Sequence, residues 1–241
     1  MKLKGKKILI TGANRSIGKA IAQRFAQEGG QVVITFRSDE KGAKNVVQTL
    51  QKTSGFGEAI FADFSSMENV TKCFDEALAL LGHIDVLVNN AGSYDTSPFL
   101  DLDPKTFSHL LSVSVTAPMM LTQLAARKMK EKGSGGSIIN IASVSGLKTH
   151  PCRVAHSTAK AALIMLTKST ALELAPFNIR VNALAPGGTP YEGESWGTEL
   201  VPLGVEGLPE YQASGALYLA SEEACWVTGQ VLAIDGGQTI A

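Results

Sequence analysis

Cysteine is sparse in this sequence: Cys73, Cys152 and Cys225 are the only 3 among 241 residues. Their wide spacing and odd number leave no disulfide framework and no metal-ligand pattern, so no metal is expected. A reducing cytoplasm is the expected setting. Excess charge of one sign is also missing, with 22 basic residues against 22 acidic ones. That removes the electrostatic case for a nucleic acid or an anionic membrane as partner. No apolar run approaches the ~20 residues that span a bilayer. The opening "MKLKGKKILITGA" sets lysines before apolar residues, as a signal peptide does, but "ILI" is too short for its apolar core and passes straight into glycine. It reads as a first strand. Repeats, low-complexity tracts and linkers are absent; "EKGSGGS" (131–137) is only long enough for a turn. What remains is 44% apolar, ample for a core, and the expectation is one domain over 1–241.

The chain alternates short β-rich runs with longer helical stretches. The runs are "KILIT" (7–11), "QVVITF" (31–36), "EAIFA" (58–62), "VLVN" (86–89), "SIINIA" (137–142), "RVNALA" (180–185) and "QVLAID" (230–235). Helices are expected over 16–28, 40–53, 67–81, 104–131, 153–175 and 209–220. Continuous apolar strands alternating with helices predict an α/β Rossmann architecture: a doubly wound, seven-stranded parallel sheet with helices on both faces.

"ILITGANRSIGKAIAQRFAQEG" is strand, glycine turn and amphipathic helix, a setting in which backbone N–H groups can approach a pyrophosphate. Gly12 and Gly18 bracket the turn, and Ser16 stands where a middle glycine is expected. The second strand ends "FRSDE". An acid at that point marks NAD, whereas Arg37 and Ser38 come first here, with Arg15 in the glycine turn close by. Two guanidiniums suit a 2′-phosphate, so NADPH/NADP+ is the expected cofactor, with Asp39 the rival signal for NAD.

The glycine turn, "NNAG" (89–92) and the "AxxxK" frame of "HSTAK" (156–160) together resemble the short-chain dehydrogenase/reductase family. "IINIASVSG" (138–146), "IRVNALAPG" (179–187) and "LASEEACWVTGQVLAIDGG" (219–237) extend the resemblance along essentially the whole chain. The subgroup most resembled is the 3-oxoacyl-carrier-protein reductase and glucose-dehydrogenase type. The resemblance implies cofactor contacts from Gly12, Arg15, Ser16, Ile17 and Gly18 at the pyrophosphate, and from Arg37 and Ser38 at the adenosine ribose. It implies Asp63 and Phe64 at the adenine, and Asn90, Ala91, Gly92 and Lys160 at the nicotinamide ribose. Pro186 and Gly187 match the turn at the nicotinamide; Thr189 arrives earlier than the family's carboxamide threonine. A homo-oligomer, tetramer or dimer, is implied as well.

The family's chemistry uses serine, tyrosine and lysine, with an asparagine one helix earlier. Ser143 and Lys160 match, but His156 occupies the tyrosine position and Ser114 the asparagine position. Imidazole has an ordinary pKa of ~6.5 and can donate a proton, yet it is shorter than a phenol and Lys160 disfavours its charged form. His156 is therefore either a substitute donor or the mark of a site that has lost its acid. The loop "GTPYEGESWGTEL" (188–200) is a short substrate lid made pliable by Gly193 and Gly197, and Tyr94, Tyr191 and Trp196 are candidate pocket walls. His109 and His150 read as surface residues. Two functions follow: an NADP(H)-dependent oxidoreductase for a small organic substrate, reducing a carbonyl or a C=C or C=N bond, in a biosynthetic pathway; or a silent NADP(H)-binding subunit.

Overall fold

The computed structural model describes residues 1–191 and 193–241; Glu192, inside the 188–200 loop, lies outside the described residues. Seven strands form one sheet in the order β3-β2-β1-β4-β5-β6-β7. They are β1 (Lys7–Ile10), β2 (Gln31–Phe36), β3 (Gly57–Phe61), β4 (Val86–Asn89), β5 (Gly136–Ile141), β6 (Ile179–Pro186) and β7 (Val231–Ile234), and every pairing is parallel. Side chains alternate across a strand. Here both sets are apolar. Ile8, Ile10, Val32, Ile34, Val86 and Val88 enter one layer, and Leu9, Val33 and Leu87 enter the other.

The helices that cover these layers are α1 (Ser16–Gln27), α2 (Glu40–Ser54), α3 (Met67–Leu81), α4 (Pro104–Leu111), α5 (Ala117–Lys132), α6 (Val154–Leu174) and α7 (Pro209–Ala220). Phe25 of α1, Leu50 of α2 and Ala216 of α7 close the first layer; Phe74 of α3, Leu121 of α5 and Ala171 of α6 close the second. Burying each large side chain is worth about 1.5–3 kcal/mol, which fixes the register of helix on sheet. No helix among the described residues is long and apolar enough to cross a membrane.

One expected helix differs. The 104–131 stretch is interrupted at Ser112–Thr116 by a wider π-helical turn, in which the Ala117 N–H donates to the Ser112 carbonyl five residues back. Pro118 supplies the reason. It has no N–H for the carbonyl of Ser114, four residues earlier, and its ring crowds that carbonyl.

The strand order reverses between β1 and β4, so their connections leave on opposite sides and open a crevice at the strands' carboxyl ends. The regions singled out from the sequence meet there.

Candidate active site

The crevice has a volume of about 910 Å³. Its floor is the glycine turn after β1. Gly12 has φ 61°, a left-handed conformation, and an added Cβ would lie 3.0 Å from the Ala91 Cα. At Gly18 a Cβ would come within 2.5 Å of Asn90 Nδ2 and 2.7 Å of the Gly12 carbonyl oxygen. Only glycine fits, because Asn90 is the clasp of the turn. Its Nδ2 donates to the carbonyls of Thr11 at 2.9 Å and Gly12 at 2.8 Å. Ser16 holds φ 47° where glycine is the easy choice. Two residues that sequence reasoning passed over complete the floor. Thr11 Oγ1 accepts from the N–H groups of Asn90 and Ala91, and Thr35 Oγ1 accepts from Gly12 N–H. Their signal was a threonine inside an otherwise apolar strand.

The adenosine end lies beyond β2. Arg15, Ile17, Arg37, Ser38, Asp63 and Phe64 all line the crevice there. Asp63 is kept below the usual carboxylate range, chiefly by the Ser65 backbone N–H at 3.0 Å, with Arg37 contributing. Phe64 is buried in the second apolar layer. Asp39 caps α2, accepting from Gly42 N–H at 2.8 Å. Arg15 lies over the ring of Tyr191, 5.0 Å from its centre, so in this structure it braces the loop after β6.

At the other end, α6 presents His156 and Lys160 one turn apart. Lys160 is 6% exposed, and its Nζ donates to the Ile141 carbonyl at 2.7 Å. Burial pulls the ammonium down to about 8. Ser143, on the loop after β5, accepts from Ser145 N–H at 3.0 Å and keeps its own hydroxyl proton for another acceptor. Burial lowers His156 to about 4, with Lys160 and Arg153 adding to the effect and a backbone hydrogen bond at Ser93 opposing it. The imidazole is neutral at pH 7. Its Nδ1 is buried with no hydrogen-bond partner among the described residues. The ring meets Tyr94 edge-on, 4.9 Å between centres at 74°, and Tyr94 in turn lies under Arg153 at 4.6 Å.

Ser114 differs from this group. It is 1% exposed, and it accepts from Ser93 N–H at 3.4 Å instead of fronting the crevice. Ser93 also links to His109 Nε2 at 3.2 Å, so His109 is half-buried beside the site and not a plain surface residue. His150 is exposed at the rim.

Gly187 N–H donates to the Ile234 carbonyl and Gly188 N–H to Gln238 Oε1, which tie the turn after Pro186 to the chain's last strand and tail. Thr189 is buried, and its hydroxyl donates to the Gly187 carbonyl at 3.1 Å. Trp196 and Tyr191 line the opening. Glu206 braces the second half of the loop, accepting from Ser195 Oγ, Trp196 N–H and Gly197 N–H at 2.8, 2.6 and 2.9 Å. A carboxylate three residues before α7 gave no motif by which the sequence could announce this brace. No cluster of potential metal ligands exists among the described residues.

A dinucleotide fits this crevice: glycine positions leave no room for Cβ atoms beneath it, and the buried Lys160 lines its other end. Comparison with known proteins agrees. Residues 12–239 match the family described as enoyl-(acyl carrier protein) reductase. The 3β-hydroxysteroid dehydrogenase 1 of Eggerthella lenta is 38% identical over 99% of this chain and 95% of its own. The 3-oxoacyl-[acyl-carrier-protein] reductase of Aquifex aeolicus is 39% identical over 98% of each. The crystal structure of acetoin dehydrogenase from Salmonella typhimurium superposes with a TM-score of 0.94 at 37% identity, covering 98% of this chain and 96% of that one. With the crevice, the parallel sheet and these relatives in agreement, the chain belongs to the short-chain dehydrogenase/reductase family of oxidoreductases, which use a nicotinamide cofactor.

Proposed function

We propose that this protein is an NADP(H)-dependent reductase of a small organic substrate, working with His156 in place of the family's tyrosine. The observation that carries the reading is the shared wall: Lys160, His156 and Ser143 line one end of the crevice whose other end the glycine turn floors. The phosphorylated cofactor is favoured because Arg37, Ser38 and Arg15 line the adenosine end, where Asp39, also in the lining, spends one oxygen on capping α2. When bound, the cofactor supplies a hydride to the substrate.

The chain's residues do the rest. Lys160 holds ribose hydroxyls with an ammonium whose burial strengthens each contact. Ser143 donates its hydroxyl proton to the substrate oxygen and polarises it. His156 delivers the proton that turns the reduced oxygen into an alcohol, acting as the imidazolium, which is the minor form at pH 7 because burial lowers its pKa. A C=C or C=N substrate would need no such donor. Thr189, Pro186 and Gly187 border the nicotinamide, and Tyr94, Tyr191 and Trp196 wall the substrate, in one domain spanning the chain. A homo-oligomer in the cytoplasm, formed through α5 and α6, fits the exposed Met119, Leu172 and Phe177.

One observation favours a second reading, a silent NADP(H)-binding subunit: His156 has no hydrogen bond to Ser143 among the described residues and loses its proton far below pH 7. Purified protein saturated with NADPH is offered ketones, enones and imines while the dihydronicotinamide absorbance is followed. Turnover abolished in His156→Ala supports the substitute donor. Turnover that survives assigns acid-independent reduction, and cofactor binding without turnover on any of the panel assigns the silent subunit. His156→Tyr restores the family's phenol and is expected to raise ketone turnover.

A further inference from the structure

We infer that Arg153 is the anchor for a carboxylate on the substrate, so that the crevice selects small oxo acids over neutral ketones. The inference rests on the reductase reading and specifies its substrate class. Arg153 immediately precedes α6, three residues before His156, and its side chain lines the crevice beside it. It is half-buried, and its guanidinium has no hydrogen-bond acceptor and no carboxylate partner among the described residues; its one contact is the face of Tyr94 at 4.6 Å. A guanidinium facing the crevice with its donors unspent is free to take an anion bidentately.

Two of the charged groups around it are committed elsewhere. Glu206 accepts three hydrogen bonds within the 188–208 loop, and Lys148 donates to the terminal Ala241 oxygen. Glu199 and His150 are exposed at the outer rim. Among the described residues, therefore, no carboxylate pairs with Arg153, while a carboxylate entering the crevice can take two of its N–H groups at once.

Tyr94 fixes the spacing. Its ring touches both groups, the guanidinium at 4.6 Å and the His156 imidazole edge-on at 4.9 Å and 74°. Laid end to end, those contacts set an upper limit on the distance between the anchor and the proposed donor, and a keto acid of a few carbons falls within it. An anion there also faces the two cations, Lys160 and Arg153, that oppose a proton on His156. The substrate's own charge would thus favour the proton that His156 must carry.

The test uses levulinate and its methyl ester, which share a ketone and differ in the anion. With NADPH, the acid is expected to exceed the ester in kcat/KM by about 10- to 100-fold, the worth of a charge-assisted contact. That ratio should collapse to within about twofold in Arg153→Met and be partly kept in Arg153→Lys. Equal values in the unaltered protein, or a preference that survives Arg153→Met, would overturn the anchor and leave the reductase reading standing. If neither compound turns over, calorimetry of the NADP+-loaded protein with glutarate separates the two ideas. Binding weakened about tenfold or more in Arg153→Met supports the anchor without the reductase chemistry. Absent binding, or binding indifferent to the substitution, overturns it. NADP+ affinity and the thermal transition of both variants report that they have folded.

Discussion

If His156 is the proton donor, turnover must carry the signature of a buried imidazole. Burial is the first cause of its depression to about 4, the Lys160 ammonium the larger of two charge effects, and Arg153 the smaller. At pH 7 only about one site in a thousand then holds the imidazolium. The rate of ketone reduction should accordingly rise about tenfold for each unit that pH falls from 7, flattening near 4. The assay is initial-rate loss of dihydronicotinamide absorbance at saturating NADPH and ketone, with the acid decay of free NADPH subtracted. In His156→Ala the slope should vanish. An anionic substrate next to Arg153 should move the flat region to higher pH, since it offsets the repulsion that the two cations exert. A profile that is level from pH 7 to 5 in the unaltered protein, or one that keeps its slope in His156→Ala, refutes the assignment of His156 as donor. The same shift has a stability consequence. Between the ordinary value near 6.5 and about 4, the unfolded chain binds a proton that the folded chain does not, so stability falls as pH drops through that window. The ceiling is about 3 kcal/mol. His156→Phe should flatten that part of the acid limb in a pH series of urea melts.

Lys160→Met should stabilise the fold while abolishing turnover: the ammonium's value of about 8, against 10.5 unfolded, means its burial penalty is present in full below pH 8 and relieved as pH rises toward 10.5. A gain of about 1–2 kcal/mol in the thermal transition at pH 7 is expected after the Ile141 carbonyl loses its donor. Gly18→Ala forces a Cβ to 2.5 Å from Asn90 Nδ2 and should cost about 2–4 kcal/mol and most cofactor affinity, measured by denaturant melts and NADPH fluorescence. Pro118→Ala returns the N–H that a regular helix needs at Ser114, so the π turn should tighten, and hydrogen exchange of residues 112–118 should slow relative to the unaltered chain.

How far the sequence reaches is visible element by element. β2, β4, α3 and α7 fall on the boundaries expected for them, because their apolar periodicity is uninterrupted and each buries its face without competition. The π turn did not show, since Pro118 leaves the hydrophobic pattern on both sides intact while altering only the hydrogen-bond ladder. The glycine turn and the order of motifs announced the crevice. They did not reveal that Asn90, Thr11 and Thr35 are its fastenings, because those bonds join residues from three different strands.

By itself, then, the sequence determined the parallel sheet, its helical layers and the dinucleotide crevice. Those follow from local pattern and spacing, which the chain carries along its length. The tertiary structure alone decided that Ser114 lies behind the wall, that Glu206 braces the loop, and that burial lowers the pKa of His156 where Tyr94 touches both it and Arg153. Protonation and hydrogen bonding depend on which distant residues exclude water from a group and which charges they set beside it, and that is settled only when the chain has folded.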